Sequence, residues 1–184
     1  KHLVEAIREV PAGHVKVALV LTSGFGELDA EGARLEQELL EAARGRGIMI
    51  VGPNSVGVVN LANGVVPTIS QYFDRTQISW GPLALVSQSG AFGTALLAQA
   101  EIEGLSFGYF VSSGNEADVE FSDFGRALLD QDNVRVLCGY IESIRNGQSF
   151  VDLARKAAEK GKPVLVLKVG STEAGAAAAR SHTG

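Results

Sequence analysis

Short apolar runs alternate along the chain with longer segments in which apolar residues recur every three or four positions. The short runs predict buried strands, at residues 15–21, 48–51, 83–86, 107–111, 134–141 and 164–167. The periodic segments predict helices, at residues 3–10, from the cap Asp29 to Gly45, from the cap Ser89 to Gly104, at 121–129 and from Phe150 to Gly161. Alternating strands and helices are typical of a parallel sheet with helices on both faces, so the predicted fold class is α/β.

The pattern loosens between residues 61 and 80, where turn residues and mixed polarity replace any sustained period. A stretch of this kind is typical of the connection between two compact units. We therefore expect a domain boundary near residue 64, with one unit at residues 1–64 and a second at residues 65–184.

The turn Ser87-Gln88-Ser89-Gly90 links the apolar run at 83–86 to a helix-forming segment. Ser89 is expected to cap this helix, and Gly90 and Gly93 are expected to leave its first amides uncovered by side chains. These amides lack partners within the helix, and the helix dipole places partial positive charge on them. The turn is therefore a candidate anion site.

Every predicted strand is followed by a loop rich in small or polar residues, and ligands of parallel α/β sheets bind beyond the carboxyl ends of the strands. These loops lie at residues 22–27, 52–55, 87–90, 112–118 and 142–146, with the tail after residue 167 as the last. In the second unit, Ser87, Asn115, Glu142 and the tail are expected to converge at one edge of the sheet.

Composition and charge narrow the possible partners. The net charge of −5 and the lack of a basic stripe argue against nucleic acid, and no apolar run approaches the roughly 18–20 residues of a membrane span. Cys138, the single cysteine, lies in an apolar run, which favours a core role and a reducing, cytoplasmic compartment. The first residue is not methionine and the chain stops abruptly at Gly184, so we expect a segment of a longer protein.

The three histidines are scattered, so no metal site is predicted. His2 and His14 are interpreted as exposed polar residues. His182 lies in a Gly- and Ala-rich tail, where it is either an exposed histidine or a functional one. The segment around Ser89 lacks both glycines of the Gly-x-Ser-x-Gly nucleophile motif, and no phosphate-binding Gly-Lys-Ser/Thr motif is present.

Glu142 ends an apolar strand, which is a costly place for a carboxylate unless it faces a site or a partner. The alternative is a solvated residue at the end of the strand. If Glu142 met His182, the carboxylate would orient the ring and select one tautomer. An imidazole held in this way and directed at a helix N-terminus is suited to carry a phosphoryl group.

Several motifs agree in their order and spacing along all 184 residues. They are Leu21-Thr22-Ser23-Gly24-Phe25, Gly52-Pro53-Asn54-Ser55-Val56-Gly57, Val86-Ser87-Gln88-Ser89-Gly90, Gly114-Asn115 with Ala117-Asp118-Val119, Thr172-Glu173-Ala174-Gly175 and Ser181-His182-Thr183-Gly184. Through these motifs the chain resembles the NDP-forming acyl-CoA synthetases, which include ADP-forming acetate–CoA ligases and the α subunit of succinyl-CoA synthetase. It is more similar to the ADP-forming branch.

The resemblance implies that residues 1–64 are the back part of a Rossmann-like CoA-binding domain and that residues 65–184 are a flavodoxin-like ligase domain. It further implies that phosphate converts acyl-CoA to acyl phosphate, and that His182 then carries the phosphoryl group to ADP. Glu142 would steady His182. The phosphate would be held by the turn Ser87, Gln88, Ser89 and Gly90.

The resemblance also assigns the remaining ligands. CoA would contact Thr22, Ser23, Gly24, Asn54 and Ser55, with Asn54 and Ser55 near the thiol end. Some relatives of the succinate branch have cysteine at the position of Ser55. Because a hydroxyl group can still form hydrogen bonds, we interpret this difference as an adjustment of the site rather than its loss. The acyl substrate would use the loop that contains Gly114, Asn115 and Asp118.

ATP or ADP and Mg²⁺ would bind an ATP-grasp partner that is absent from this segment, and an oligomer is expected. Without that partner the segment is expected to lack a complete catalytic cycle. Two alternatives remain: a CoA-binding regulatory module of a lysine acetyltransferase with the same architecture, and a plain CoA- or nucleotide-binding domain.

Overall fold

The structure is a computed structural model that describes residues 2–74 and 78–170. Its helices are α1 (His2–Glu9), α2 (Ala30–Arg44), α3 (Gly90–Ile102), α4 (Phe121–Leu129) and α5 (Gly147–Lys160). Its strands are β1 (Val17–Leu19), β2 (Met49–Val51), β3 (Val58–Asn60), β4 (Leu83–Ser87), β5 (Phe107–Ser112), β6 (Val136–Ile141) and β7 (Val164–Lys168). Every predicted strand and helix is present, with small shifts at the ends, and the predicted α/β class is confirmed.

The first unit is built on the parallel pair β1 and β2, which packs against α1 and α2. Leu39 and Ile50 are fully buried at the centre of this core. Helix α2 begins at the predicted cap, because the Asp29 carboxylate accepts a hydrogen bond from Gly32 N at 2.8 Å. This cap fixes the start of the helix that follows the loop at residues 22–27.

The second sheet has the strand order β3-β5-β4-β6-β7, with β3 antiparallel to β5 and all other neighbours parallel. Strand β4 lies at the centre, and the chain visits β5 on one side before it crosses to β6 on the other. This is the flavodoxin-type order, in which the ligand crevice opens where the direction of the connections reverses. Here that switch point lies between the carboxyl ends of β4 and β6.

Helices cover both faces of this sheet, as predicted. Ala84 and Val86 of β4 belong to the core beneath α4 and α5, whereas Leu85 packs with Leu97 of α3 on the opposite face. All three β4 side chains are fully buried. The alternation places α3 on one face, with its N-terminus directly after the end of β4.

Strand β3 was not predicted, because its short run follows a glycine and its pairing partner lies about 50 residues later in the chain. Val59 is opposite Phe110 of β5. The division at residue 64 stays a prediction. Strand β3 precedes residue 64, yet its hydrogen bonds to β5 make it part of the second sheet.

The loop after β5 connects the two units through backbone hydrogen bonds. Asn115 N donates to Pro53 O at 2.9 Å, and Ala117 N donates to Gly52 O at 3.1 Å. Asp118 accepts a hydrogen bond from Ile50 N at 2.8 Å through its carboxylate. The loops that follow β2 and β5 are therefore held against each other.

Gly114 should be intolerant of any side chain, because a Cβ atom there would lie 2.1 Å from Pro53 O in a residue with φ of +62°. We expect Gly114→Ala to lower the free energy of unfolding by about 3 kcal/mol or more, through overpacking and left-handed backbone strain together. Gly104 is the matched control, since its φ is +75° but a Cβ atom would meet open space. Gly104→Ala should cost only about 1–2 kcal/mol, and equal losses in urea unfolding would contradict the packing argument.

Candidate functional site

The N-terminus of α3 lies at the switch point, and its cap is the predicted one. Ser89 Oγ accepts a hydrogen bond from Phe92 N at 3.3 Å. The buried Ser87 hydroxyl donates to Ser89 O at 2.6 Å. Because both serine side chains are engaged within the turn, an anion bound here would be met mainly by the backbone amides of the first helical turn.

Gly90 and Gly93 have a packing role that the sequence analysis did not anticipate. A Cβ atom on Gly90 would lie 2.5 Å from Val56 Cγ1, and one on Gly93 would lie 2.8 Å from Phe110 Cε2. The start of α3 therefore approaches the residues before β3 and the side chains of β5 closely. These glycines bring the helix N-terminus to its position, in addition to any effect on the exposure of its amides.

Gln88, which is predicted to belong to the phosphate turn, makes three side-chain hydrogen bonds to the loop after β6. Its Oε1 accepts hydrogen bonds from Glu142 N at 2.6 Å and Ser143 N at 2.9 Å, and its Nε2 donates to Ser143 O at 2.8 Å. The backbone of Gln88 adds a bond from its N–H to Tyr140 O at 3.1 Å. The side chain thus ties the loop after β4 to the loop after β6 across the switch point.

Glu142 lies at this crossing, with only 7% of its surface exposed. Its carbonyl oxygen accepts a hydrogen bond from Lys168 Nζ at 2.9 Å. Burial raises the pKa of the Tyr140 hydroxyl, and the Glu142 carboxylate, which accepts its hydrogen bond, raises this pKa further. The expectation that Glu142 faces into a site rather than into bulk solvent agrees with this burial.

Tyr140 and Phe92 are site residues that the sequence analysis missed. Their rings stack with centroids 4.2 Å apart and an angle of 27° between the planes. Phe92 belongs to the first turn of α3, so the stack brings Tyr140, and Glu142 beside it, to the helix N-terminus. The spacing of two residues between Tyr140 and Glu142, which places both on one side of the strand, was the available signal.

Asn115 lies next to the switch point but directs its side chain toward the first unit. Its Nδ2 donates to the carboxylates of Glu27 and Glu36, the latter at 3.1 Å, and its Oδ1 accepts from Asn54 Nδ2 at 3.4 Å. Burial raises the pKa of Glu27, but hydrogen bonds from Asn115 and from the Gly24 and Phe25 amides outweigh it, so the pKa lies below its ordinary value. Asn115 is thus a link between the loops after β1, β2 and β5.

The residues expected to contact CoA divide into exposed and buried ones. Thr22 and Ser23 are exposed, and Thr22 O accepts a hydrogen bond from Asn54 N at 2.9 Å, which holds the two loops together. Ser55 is buried, and its hydroxyl donates to Ser112 O at 2.6 Å and accepts from Gly57 N at 3.0 Å. The Ser55 hydroxyl therefore supports the loop from within.

Glu116 is a buried carboxyl group that the sequence analysis did not single out. Only 3% of its surface is exposed, and its Oε1 accepts a hydrogen bond from Ser113 Oγ at 2.6 Å. Burial raises the pKa of Glu116 above its ordinary value, although hydrogen bonds from Ser113 and Gln88 oppose the rise. No local pattern marks this residue, because its burial arises only when the loop folds onto the end of β4.

His182 and the motifs at residues 172–175 and 181–184 lie outside the described residues. Across the described ranges, no three His, Cys, Asp or Glu side chains gather as a metal ion would need. None of the helices within 2–74 and 78–170 has the length and apolar character that a membrane crossing demands.

The family model described as succinyl-CoA ligase like flavodoxin domain matches residues 80–184, which is more than half of the chain. The chain belongs to this family. The match begins just before β4 and so includes the turn, Glu142 and the position of His182. Membership agrees with the flavodoxin-type strand order and with a ligand crevice at the switch point.

Among curated relatives of this succinyl-CoA ligase-like chain, the α subunit of ADP-forming acetate–CoA ligase I from Pyrococcus furiosus is 40% identical over 184 residues. That alignment covers 100% of this chain and 39% of the relative. The ADP-forming 4-hydroxybutyrate–CoA ligase of Nitrosopumilus maritimus is 38% identical, over 92% of this chain and 24% of the relative. The chain therefore spans less than half of the length of either relative.

Comparison with solved structures leads to the same family. The dinucleotide-forming acetyl-coenzyme A synthetase 1 of Candidatus Korarchaeum cryptofilum, in complex with phosphate and ADP, matches with a TM-score of 0.82 and 36% identity. The match covers 92% of this chain and 35% of that one. The resemblance to NDP-forming acyl-CoA synthetases is thus confirmed. An ATP citrate lyase from Methanosaeta concilii, at 16% identity and a TM-score of 0.63, shares the fold.

The stability of the protein should be sensitive to a charge at Asn115, whose amide links the loops of the first unit to the loop after β5. In Asn115→Asp the amide that donates to both Glu27 and Glu36 is replaced by a third carboxylate, in a residue that is 6% exposed. We expect the free energy of unfolding to fall by at least about 2 kcal/mol, because a buried donor is lost and like charges meet. Asn63→Asp at an exposed position is the control and should change the urea midpoint little; equal effects would refute the link.

Glu116 should make stability depend on pH. Its pKa is raised above the ordinary 4.5, so the folded protein binds this proton more tightly than the unfolded chain does. The contribution of the Glu116 carboxyl group to the free energy of unfolding therefore falls as pH rises from about 4.5 through the raised pKa. Relative to the wild type, Glu116→Gln should be more stable at about pH 7.5 than at about pH 4.5.

Urea unfolding at both pH values measures this difference, with Glu159→Gln at an exposed helical position as the control. The neighbouring Glu120 also raises the pKa of Glu116, but it is present in every variant. A stability difference between wild type and Glu116→Gln that is constant with pH would rule out a raised pKa.

Proposed function

We propose that this protein acts as the CoA-binding and phosphoryl-carrying part of an ADP-forming acyl-CoA synthetase. The observation that carries the proposal is the burial of Glu142 beside the N-terminus of α3 at the switch point. The relatives that share this architecture include ADP-forming acetate–CoA ligases. The overall reaction interconverts acyl-CoA, ADP and phosphate with a carboxylic acid, CoA and ATP.

The reaction would proceed in three balanced steps. A phosphate oxygen attacks the thioester carbon, the carbon–sulfur bond breaks, and CoA leaves as acyl phosphate forms. A ring nitrogen of His182 then attacks phosphorus, and the carboxylate leaves with the electrons of the broken phosphorus–oxygen bond. Finally a terminal oxygen of ADP attacks phosphorus, the phosphorus–nitrogen bond breaks, and ATP is released.

The described residues have distinct roles in these steps. The first-turn amides of α3, after Ser89 and Gly90, stabilise the oxygens of the phosphate or phosphoryl group. The Glu142 carboxylate accepts a hydrogen bond from the N–H of the other ring nitrogen of His182, which leaves the attacking nitrogen unprotonated. Ser87 holds the turn from below through its bond to Ser89 O.

CoA would lie along the loops that follow β1 and β2. The exposed Thr22 and Ser23 offer hydroxyl groups, and Gly24 and Asn54 lie in the same pair of loops. The buried Ser55 would shape this surface rather than bind CoA directly. The acyl group would enter near the loop with Gly114, Asn115 and Asp118, since that loop lies between the first unit and the turn.

The nucleotide and Mg²⁺ would be held by an ATP-grasp part, on the same or another polypeptide, and an oligomer would follow from that need. The name of the Pyrococcus furiosus relative, an α subunit, supports a division of this kind. The relatives above are ligases, which does not favour the acetyltransferase-associated regulatory module. The presence of His182 and Glu142 also favours an enzyme.

The test is phosphorylation of the full-length protein, together with its nucleotide-binding partner, by ATP labelled on the terminal phosphate in the presence of Mg²⁺. We expect a label that is labile in acid and stable in alkali, as phosphohistidine is, and that is absent in His182→Ala. In Glu142→Gln the labelling rate should fall about 100-fold, because the charged carboxylate that accepts the hydrogen bond of the His182 ring N–H is lost. Glu159→Gln should label normally. A label that persists in His182→Ala would overturn the assignment.

A further inference from the structure

The Gln88 side chain is hydrogen-bonded through both ends of its terminal amide. Both acceptor positions of Oε1 are filled by Glu142 N and Ser143 N, at 2.6 and 2.9 Å. One N–H of Nε2 donates to Ser143 O at 2.8 Å. A glutamine amide has two N–H donors and an oxygen with two lone pairs, so these bonds use three of its four hydrogen-bonding positions.

Glu116 is itself held in place at the end of β4. Ser113 Oγ donates to its carboxylate at 2.6 Å, and Ser113 N donates to Ser87 O at 2.9 Å. Glu116 is 3% exposed and Gln88 is 6% exposed, so water competes little for these bonds. The loop after β5 is therefore fixed against the end of β4.

This arrangement permits one orientation of the Gln88 amide. If the amide were rotated by 180°, its NH₂ group would face the N–H donors of Glu142 and Ser143. Its oxygen would then face Ser143 O, a repulsive contact in a site with little water. With Lys168 Nζ on the carbonyl of Glu142, side chains fix both backbone polar groups of that residue.

We propose that Gln88 is a positioning residue for Glu142. The role rests on the proposed function, because it matters only if Glu142 must hold His182 in place. The Gln88 side chain bonds to the loop after β6. It acts through the backbone of residues 142–143, and a misplacement of about 1 Å at a reacting group can slow a step about 100-fold.

The experiment uses the full-length protein with its nucleotide-binding partner and compares Gln88→Glu with the wild type. In Gln88→Glu the donor to Ser143 O is replaced by a carboxylate oxygen that repels it, and the labelling rate of His182 should fall about 30-fold.

Gln99→Glu is the matched control, because Gln99 is exposed on α3 and donates its side-chain amide to Glu103. It should leave the labelling rate unchanged. In Gln88→Glu the maximal rate should fall while the KM for ATP stays within about twofold, since nucleotide contacts are not altered. A residue needed only for folding would lower the thermal midpoint and the amount of active protein but leave the maximal rate per active molecule unchanged.

The outcomes distinguish the proposed function from the positioning role of Gln88. No acid-labile label in the wild type overturns the proposed function and this role with it. Label in the wild type with a normal rate in Gln88→Glu overturns the positioning role alone. If Gln88→Glu does not fold, Gln88→Asn decides, because it keeps the amide one methylene shorter and should also slow labelling; a normal rate there refutes the role.

Discussion

The site depends on the central place of strand β4, which is paired in parallel with β5 on one side and β6 on the other. Its side chains Ala84, Leu85 and Val86 are fully buried between helices on both faces. A strand held on two edges and two faces cannot shift without breaking the whole sheet. The turn that follows it, and the N-terminus of α3, are therefore rigid with respect to the end of β6, where Glu142 lies.

The second constraint is the backbone connection between the units. The loop after β5 donates hydrogen bonds to Pro53 O and Gly52 O, while Ser55 reaches back to Ser112 O. Under the proposed function this connection spans the distance between the CoA loops and the phosphate turn. The thioester carbon and the attacking phosphate oxygen must be held about 3–3.5 Å apart in a reactive orientation. The bonds to Pro53 O and Gly52 O suit that demand, because they join backbone groups and add no rotatable side chain.

The pattern of apolar and capping residues along the chain was sufficient to predict the strands and helices whose signals lie within their own segments. Buried strands appear as apolar runs, and the caps Asp29 and Ser89 precede their helices as capping residues do. Strand β3, the amide of Gln88 and the burial of Glu116 could not be predicted in this way, because each depends on a partner that comes from another part of the chain. Gln88 shows the consequence: the sequence places it in the turn before α3 but does not reveal that its side chain bonds to the loop after β6.

The engagement of Ser87, Gln88 and Ser89 within the protein determines what the turn can recognise. With these side chains occupied, an anion meets backbone amides and the positive end of a helix, which respond to charge and to the arrangement of oxygens. Such a site does not distinguish free phosphate from a phosphoryl group attached to a carrier. Under the proposed function this is an advantage, because the same amides can hold phosphate during attack on acyl-CoA and the phosphoryl group on His182 afterwards. Discrimination between the two states then falls to Glu142, which acts on the imidazole and has no role toward free phosphate.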